Sequence, residues 1–359
     1  MRKLLEHQAD RIDYVMRQRG IAATVTGGSV LPRWIRFNLQ PKLGTDISQI
    51  TRLDEDLAAA LNVQNCRVQR RGAAIEIQIP RDDPRPVRLL PLMKQAYRFK
   101  TLKAHQGRAI ATLGLDDEGA PLHIRLPSPD VAHILVSGMT GSGKTVLMRS
   151  IILSLAITES PDDLRLVLID PKGSAFPIFN SLPHTMLDVH TTTQQAAKSI
   201  NTLVGIMEGR GEIQVNDTRA VLVIDELADL LMTHPEAQEP LTRLLQRGRG
   251  SGIHVVAATQ KPTASVLGSL MTANFPVRLV GKVSSANDAR VASGWSGTGA
   301  ERLEGRGDFI AVAEGKLIRF QAAYITDDEI TDAIYQINRG APILPSGNQS
   351  HSLNLTRAL

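Results

Sequence analysis

GMTGSGKT at 138–145 lies between an apolar run, Ile134, Leu135 and Val136, and a segment of helical spacing, Val146, Leu147, Ile151, Ile152 and Leu155. A strand, a glycine loop and a helix in that order form a cradle of backbone N–H groups at a helix N-terminus, which binds phosphate. An accidental glycine turn is the competing reading. With Gly at ordinary usage, a chance match to this spacing is on the order of one per cent. The loop Gly138, Met139, Thr140, Gly141, Ser142, Gly143 lets the backbone wrap a β-phosphate closely. Lys144 then sets a point charge between the β- and γ-phosphates, and the Thr145 hydroxyl is a ligand for Mg²⁺.

A second segment supports the first. VLVIDE at 221–226 reads as a strand ending in Asp225 and Glu226, at the carboxyl end where open α/β sheets bind ligands. Asp225 is expected to hold Mg²⁺ through water and Glu226 to polarise an attacking water. An acidic pair at a strand end can also be a helix N-cap; beside the glycine loop the catalytic reading is preferred. A water held by Glu226 cannot alone neutralise transition-state charge, so some cation must complete the site.

The totals bound the class. A chain of 359 residues, 42% hydrophobic and 21% charged, has the composition of a globular protein of about two domains. No apolar run reaches the roughly 20 residues of a membrane span. MRKLLEHQADRIDYVMRQRG carries acids and lacks an apolar signal core, so it reads as a helix of the fold. The single Cys66 excludes an internal disulfide or cysteine metal cluster, and the expected compartment is the cytoplasm. Residues 1–108 hold 20 Lys/Arg against 10 Asp/Glu, whereas residues 109–359 hold 21 against 26. A basic region joined to a nucleotide-hydrolysing one fits a machine that handles a polyanion; a solvated surface is the plainer alternative.

Along the chain, residues 1–20 read as an N-terminal helix ending at Gly20. Residues 21–93 read as a small basic α/β domain, with WIRFNL at 34–39, a helix from about Asp46 to Leu61, then CRVQRRG and AAIEIQIP. Residues 94–121 read as a linker and edge strand. From 122 to 340 strand and helix alternate, with strands at HILVSG, 164–170, 220–225, 252–260 and 276–283. Continuous apolar strands between helices indicate an α/β fold with a mostly parallel sheet covered on both faces. Residues 341–359 are polar and turn-rich, and read as a flexible tail.

The chain resembles the FtsK/SpoIIIE family of ring-forming DNA translocases, in the FtsK–HerA division of P-loop ATPases. Besides the phosphate loop, the resemblance rests on IDPKG at 169–173, SLPH at 181–184 and VLVIDELADLL at 221–231. It continues through QRGRGSGIHVVAATQKP at 246–262, ANFPVRLVGKVSS at 273–285 and GAERLEGRGDFI at 299–310. TVTGGSVLPRWIRFNL, DEDLAAALNV and AAIEIQIP extend it to the family's basal domain, so roughly residues 22–335 are covered. The resemblance implies a RecA-like P-loop core, ATP and Mg²⁺ as substrate and cofactor, and a ring of usually six subunits around double-stranded DNA. It makes Gln260 the polar sensor of the γ-phosphate. Arg249 becomes the arginine presented to the neighbouring subunit's nucleotide, with Arg247 as runner-up; a solvent-facing arginine at a helix end is the competing reading for both. Lys261 and Arg290 match channel-facing DNA contacts, with Lys282 nearby. Two departures weaken these contacts: Thr272 and Ala286 stand where relatives often carry lysine, and Arg278 could equally be a packing residue.

The family's membrane region and C-terminal winged-helix module are not found in this sequence. The expectation is therefore no membrane insertion, with orientation set by a loading or orienting partner. The main reading is a double-stranded DNA translocase in chromosome segregation or mobile-element transfer. A DNA packaging motor and a type VII-like protein-secretion ATPase are the alternatives, and the basic amino-terminal region argues against the latter. A scaffold with a vestigial site is disfavoured because Lys144, Thr145, Asp225, Glu226, Gln260 and Arg249 are all present.

Overall fold

The computed structural model describes residues 2–72, 74–98, 109–210, 212–213, 217–260, 262–263, 273–344 and 357–358. The chain divides into two compact units, Met1–Pro86 and Val87–Leu359.

The first unit is a four-stranded antiparallel sheet in the order β1-β2-β4-β3, with β1 Ala23–Val30, β2 Trp34–Pro41, β3 Arg67–Arg71 and β4 Ala74–Pro80. Alternation in β2 turns Ile35, Phe37 and Leu39 inward beside Ile75, Ile77 and Ile79 of β4. Helix α1 (Arg2–Gln18) adds Ile12, Val15 and Met16 to the same core. Strand β1 is glycine-containing and was not evident from periodicity. Its Gly28 lies where a Cβ would come within 2.4 Å of Arg36 O, so the close strand approach excludes a side chain. The helix expected over 46–61 is two helices, α2 (Ile47–Thr51) and α3 (Asp54–Leu61). The Asp46 side chain caps the first, accepting from Ser48 N. Asp54, Glu55 and Asp56 then start a second helix, where three acids favour a new positive N-terminus.

The second unit is built on a ten-stranded mixed sheet. Five strands run parallel in the order β11-β7-β10-β9-β8: β11 Val277–Val280, β7 His133–Ser137, β10 Ile253–Thr259, β9 Arg219–Ile224 and β8 Leu164–Ile169. Both faces are buried. Ile134, Val136, Val221 and Val223 pack on one side with helix α5 (Lys144–Thr158). Leu135, Leu222 and Ile224 pack on the other with α6 (Thr193–Arg210), α7 (Leu227–Thr233) and α8 (Gln238–Arg247). Ten side chains of α5 are buried, so tertiary packing holds a helix whose β-branched residues are only moderate helix formers.

Beyond β11 the sheet turns antiparallel through β12 (Asp308–Ala313), β13 (Lys316–Ala322), β5 (Ile110–Asp116) and β6 (Pro121–Arg125). A two-residue strand β14 (Arg357–Ala358) pairs parallel with β6. Of this antiparallel half, β5 lies in the stretch read as a linker and edge strand, whereas β6, β12 and β13 carry no strand in the sequence reading. Helix α4 (Leu89–Arg98) precedes it; α9 (Ala286–Ser293) follows β11, and α10 (Asp327–Asn338) follows β13. Among the described residues no helix is long and apolar enough to cross a membrane.

Leu222 is fully buried at the centre of β9. Leu222→Ala is expected to cost about 2–5 kcal/mol through lost transfer energy and the cavity left behind, read as a lower urea midpoint at an unchanged slope.

Candidate active site

The strand order sets the geometry. Strand β10 lies between β7, which feeds the glycine loop, and β9, which ends before Asp225. Two inter-strand spacings, about 9–10 Å, therefore separate those two strand ends. Gln260 occupies the gap, directly after β10.

The loop is held in a defined shape. Gly143, at the N-cap of α5, has φ +102°, a conformation that side chains resist. A Cβ there would also meet Gly307 N at 2.7 Å. Met139 N donates to Lys282 O at 2.8 Å, while Arg306 N and Gly307 N donate to Gly141 O and Ser142 O at 3.0 and 2.8 Å. Lys144 folds back over the loop and donates from Nζ to Gly138 O at 2.7 Å and Met139 O at 3.2 Å. Burial holds its ammonium below the usual range, with Glu226 and Asp225 pulling it back up.

Across the gap, Thr145 Oγ1 donates to Asp225 Oδ1 at 3.4 Å. Burial first, then the nearby Asp170 and Glu226 carboxylates, raise the Asp225 pKa; Lys172 and the Thr145 hydrogen bond oppose this. Glu226 is buried, and its Oε1 accepts from Thr259 Oγ1 and Gln260 N, both at 3.1 Å. The Gln260 Oε1 accepts from Thr140 Oγ1 at 3.0 Å. One chain of contacts thus links Thr140, Gln260 and Glu226, and the ends of three strands converge on one mouth.

A nucleotide and a hard cation fit these residues. The Gly143 N–H has no partner among the described residues and sits at the start of a helix, where anions are stabilised. Thr145 and Asp225 offer oxygen donors of the kind Mg²⁺ takes. Among the described residues no group of three or more His, Cys, Asp or Glu could hold a metal by itself. A cation here would complete its shell from phosphate and water oxygens.

Other sequence-assigned residues lie elsewhere. Arg249 is exposed in a 3-10 turn, Gly248–Ser251, at the amino-terminal end of β10. The seven-residue strand puts about 20 Å between it and Gln260, so it does not reach its own chain's loop. Arg247, also exposed, ends α8 at the same edge. Arg290 is exposed on α9 and donates to Asn287 Oδ1 at 3.1 Å. Lys282 is half-buried, and its backbone carbonyl serves the loop. Arg278 is half-buried against Gly294, with burial lowering its pKa. Lys261 and Thr272 lie outside the described residues.

Two features near the mouth had no role assigned from sequence. Lys172, in IDPKG, pairs with Asp229 at 3.7 Å, close enough to shift both Lys144 and Asp225. Asp170 of the same motif accepts from Gly173, Ala175 and Phe176 N–H groups, shaping the turn that carries Lys172. The motif was visible; its position against the acidic strand was not.

Comparison with known proteins identifies this architecture. The FtsK/SpoIIIE family model matches residues 93–222 and 217–264, and the FtsK alpha domain model matches residues 1–81. The chain belongs to the FtsK/SpoIIIE family. A DNA translocase FtsK of Caldanaerobacter subterraneus subsp. tengcongensis is 34% identical over 91% of this chain and 48% of its own length. The DNA translocase SftA of Bacillus subtilis is 30% identical over 94% of this chain and 38% of its own. The chain therefore spans under half the length of these relatives. The solved structure of the pCW3 conjugation coupling protein TcpA, in its monomer form with ATPγS, matches with a TM-score of 0.62. That match has 19% identity and covers 92% of this chain and 99% of TcpA; it attests the fold.

The burial of Asp225, together with the nearby Asp170 and Glu226, predicts a stability effect. An acid whose folded pKa is raised penalises the fold while ionised, above that pKa, and the penalty fades as pH falls through it. Asp225→Asn is expected to raise the melting temperature of the ligand-free chain by a few degrees at pH 7–8. The difference from the parent should shrink as pH is lowered, as followed by scanning fluorimetry.

Proposed function

We propose that this chain is an ATP hydrolase that drives double-stranded DNA through a homo-oligomeric ring, hexameric in the reading preferred here, in the cytoplasm. The observation that carries the reading is the convergence of Lys144, Thr145, Asp225, Glu226 and Gln260 on one mouth. Lys144 would leave the loop carbonyls for the phosphates, and Thr145 with Asp225 would hold Mg²⁺, which neutralises phosphate charge when bound. Glu226, fixed by Thr259 and Gln260, would orient the attacking water. Gln260 would report the γ-phosphate through its contact with Thr140.

Residues 122–340 form the motor in this proposal, 21–93 the basal domain with 1–20 as its leading helix, 94–121 the link between them and 341–359 a tail. Arg249, exposed at the sheet edge opposite its own loop, would complete a neighbouring subunit's site. Arg290, Lys282 and Lys261 would touch phosphates of the duplex, because a motor must grip every sequence it passes. The DNA substrate is supported by relatives named DNA translocases. Segregation and mobile-element transfer remain the two processes this serves, with a partner setting orientation.

ATP hydrolysis measured with duplex, single strand and no nucleic acid tests the reading: duplex should raise the rate severalfold. An equal rate under all three conditions would favour a peptide-driven motor. Lys144→Ala should abolish hydrolysis, and Glu226→Gln should retain bound ATP with turnover lowered at least a hundredfold. Normal turnover in that variant would remove Glu226 from the mechanism. An arginine finger is worth about 10³–10⁵ in rate, so Arg249→Ala alone should be nearly inactive. Mixed with Lys144→Ala subunits it should partly recover; no recovery at any ratio would return Arg249 to a structural role.

A further inference from the structure

The segment Gly305–Gly307 lies about 160 residues after the phosphate loop in sequence yet is bonded to its outer side. Arg306 N donates to Gly141 O at 3.0 Å and Gly307 N to Ser142 O at 2.8 Å. A trans peptide is planar, so fixing its carbonyl on one side turns the N–H of the next residue to the other. Holding Ser142 O against Gly307 therefore aims the Gly143 N–H away from the turn, toward the mouth that Lys144 and Thr145 share.

The turn is itself tightly specified. Arg306 sits at φ +51°, where a non-glycine residue is strained and persists only when its surroundings over-determine it. Asp308 and Arg319 supply that constraint. Arg319 donates from Nε to Asp308 Oδ1 at 2.8 Å and from Nη2 to Oδ2 at 2.6 Å, and Glu304 N donates to the same Oδ2 at 3.0 Å. Their side chains are only 4% and 11% exposed for Asp308 and Arg319. Gln321 Nε2 donates to Arg306 O at 3.1 Å, and Ala322 N to Gly307 O at 2.7 Å. A buried ion pair contributes little net stability compared with apolar packing of the same volume. Its value here is directional: a bidentate carboxylate–guanidinium contact admits one relative placement of β12 and β13.

We propose that Asp308 and Arg319 are positioning residues of the nucleotide site. They lock the Gly305–Gly307 turn, and the turn holds the phosphate loop with its free N–H group presented to the anion. This deepens the function proposed above and rests on reading 138–145 as a nucleotide site. It also makes β12 and β13 a mechanical route: any displacement of this hairpin is passed to the loop through two hydrogen bonds.

The test uses the full chain and a fluorescent ATPγS analogue. The double variant Asp308→Asn with Arg319→Gln removes both charges together and so strands neither. At a temperature where its circular dichroism matches the parent's, it should bind the analogue about tenfold more weakly. Amide exchange at 141–143 should be faster, with exchange in β9 unchanged; a global loss of stability would move both. Arg306→Pro, which deletes the donor to Gly141 O and cannot adopt φ +51°, should weaken binding similarly. Arg319→Lys keeps the charge and one hydrogen bond; it should fall between parent and double variant, and serves as the decisive variant if the double variant does not fold. Parental affinity and exchange in the folded variants would overturn the clamp while leaving the nucleotide site standing. Failure of the parent itself to bind the analogue would remove the nucleotide reading and the clamp with it.

Discussion

The interposed strand β10 is the constraint on which the site depends. Had the loop strand and the acidic strand been neighbours, Asp225 would lie one spacing, roughly 5 Å, from the loop strand, with no room between them for a sensor residue. With β10 between them, Thr145 still reaches Asp225, while Glu226 and Gln260 share the space where a water would stand. Thr259 and Gln260 bind the Glu226 carboxylate directly, so β10 fixes the position of that carboxylate. One of the two contacts is a backbone N–H, which only proline at that position would remove.

The same sheet sets Arg249 apart from the phosphate loop of its own chain. Ligand-binding groups gather at the carboxyl ends of parallel strands, and Arg249 stands at the opposite end of β10. Its distance from the loop is what the proposed role in a neighbouring subunit's site rests on. Burial first, and then the Asp170 and Glu226 carboxylates, disfavour the charge on Asp225, with Lys172 opposing them. A cation added beside Asp225 would offset that penalty.

Much of this was legible from particular residues. The spacing of Gly138, Gly143, Lys144 and Thr145, and the apolar strand ending in Asp225 and Glu226, carry their chemistry in local order. The parallel strands were equally plain, because strands buried on both faces read as unbroken apolar runs. What escaped were the elements without such a signature. Strand β1 contains Gly27 and Gly28, β6 follows the stretch read as a linker and edge strand, and the helix at 46–61 is broken at Arg52 and Leu53. These are decided by close backbone approach and capping, which periodicity does not record.

Sequence alone determined which residues could bind phosphate, hold a cation and activate water, because those capacities belong to side-chain chemistry and to short-range backbone geometry. Only the tertiary structure decided that β10 separates the two halves of the site, that Arg249 stands at the far end of β10 from its own loop, and that Gly305–Gly307 is bonded to the loop. Each of those facts is a relation between segments far apart in the chain. Strand order and main-chain hydrogen bonds create such relations, and neither leaves a mark in the identity or spacing of the residues it joins.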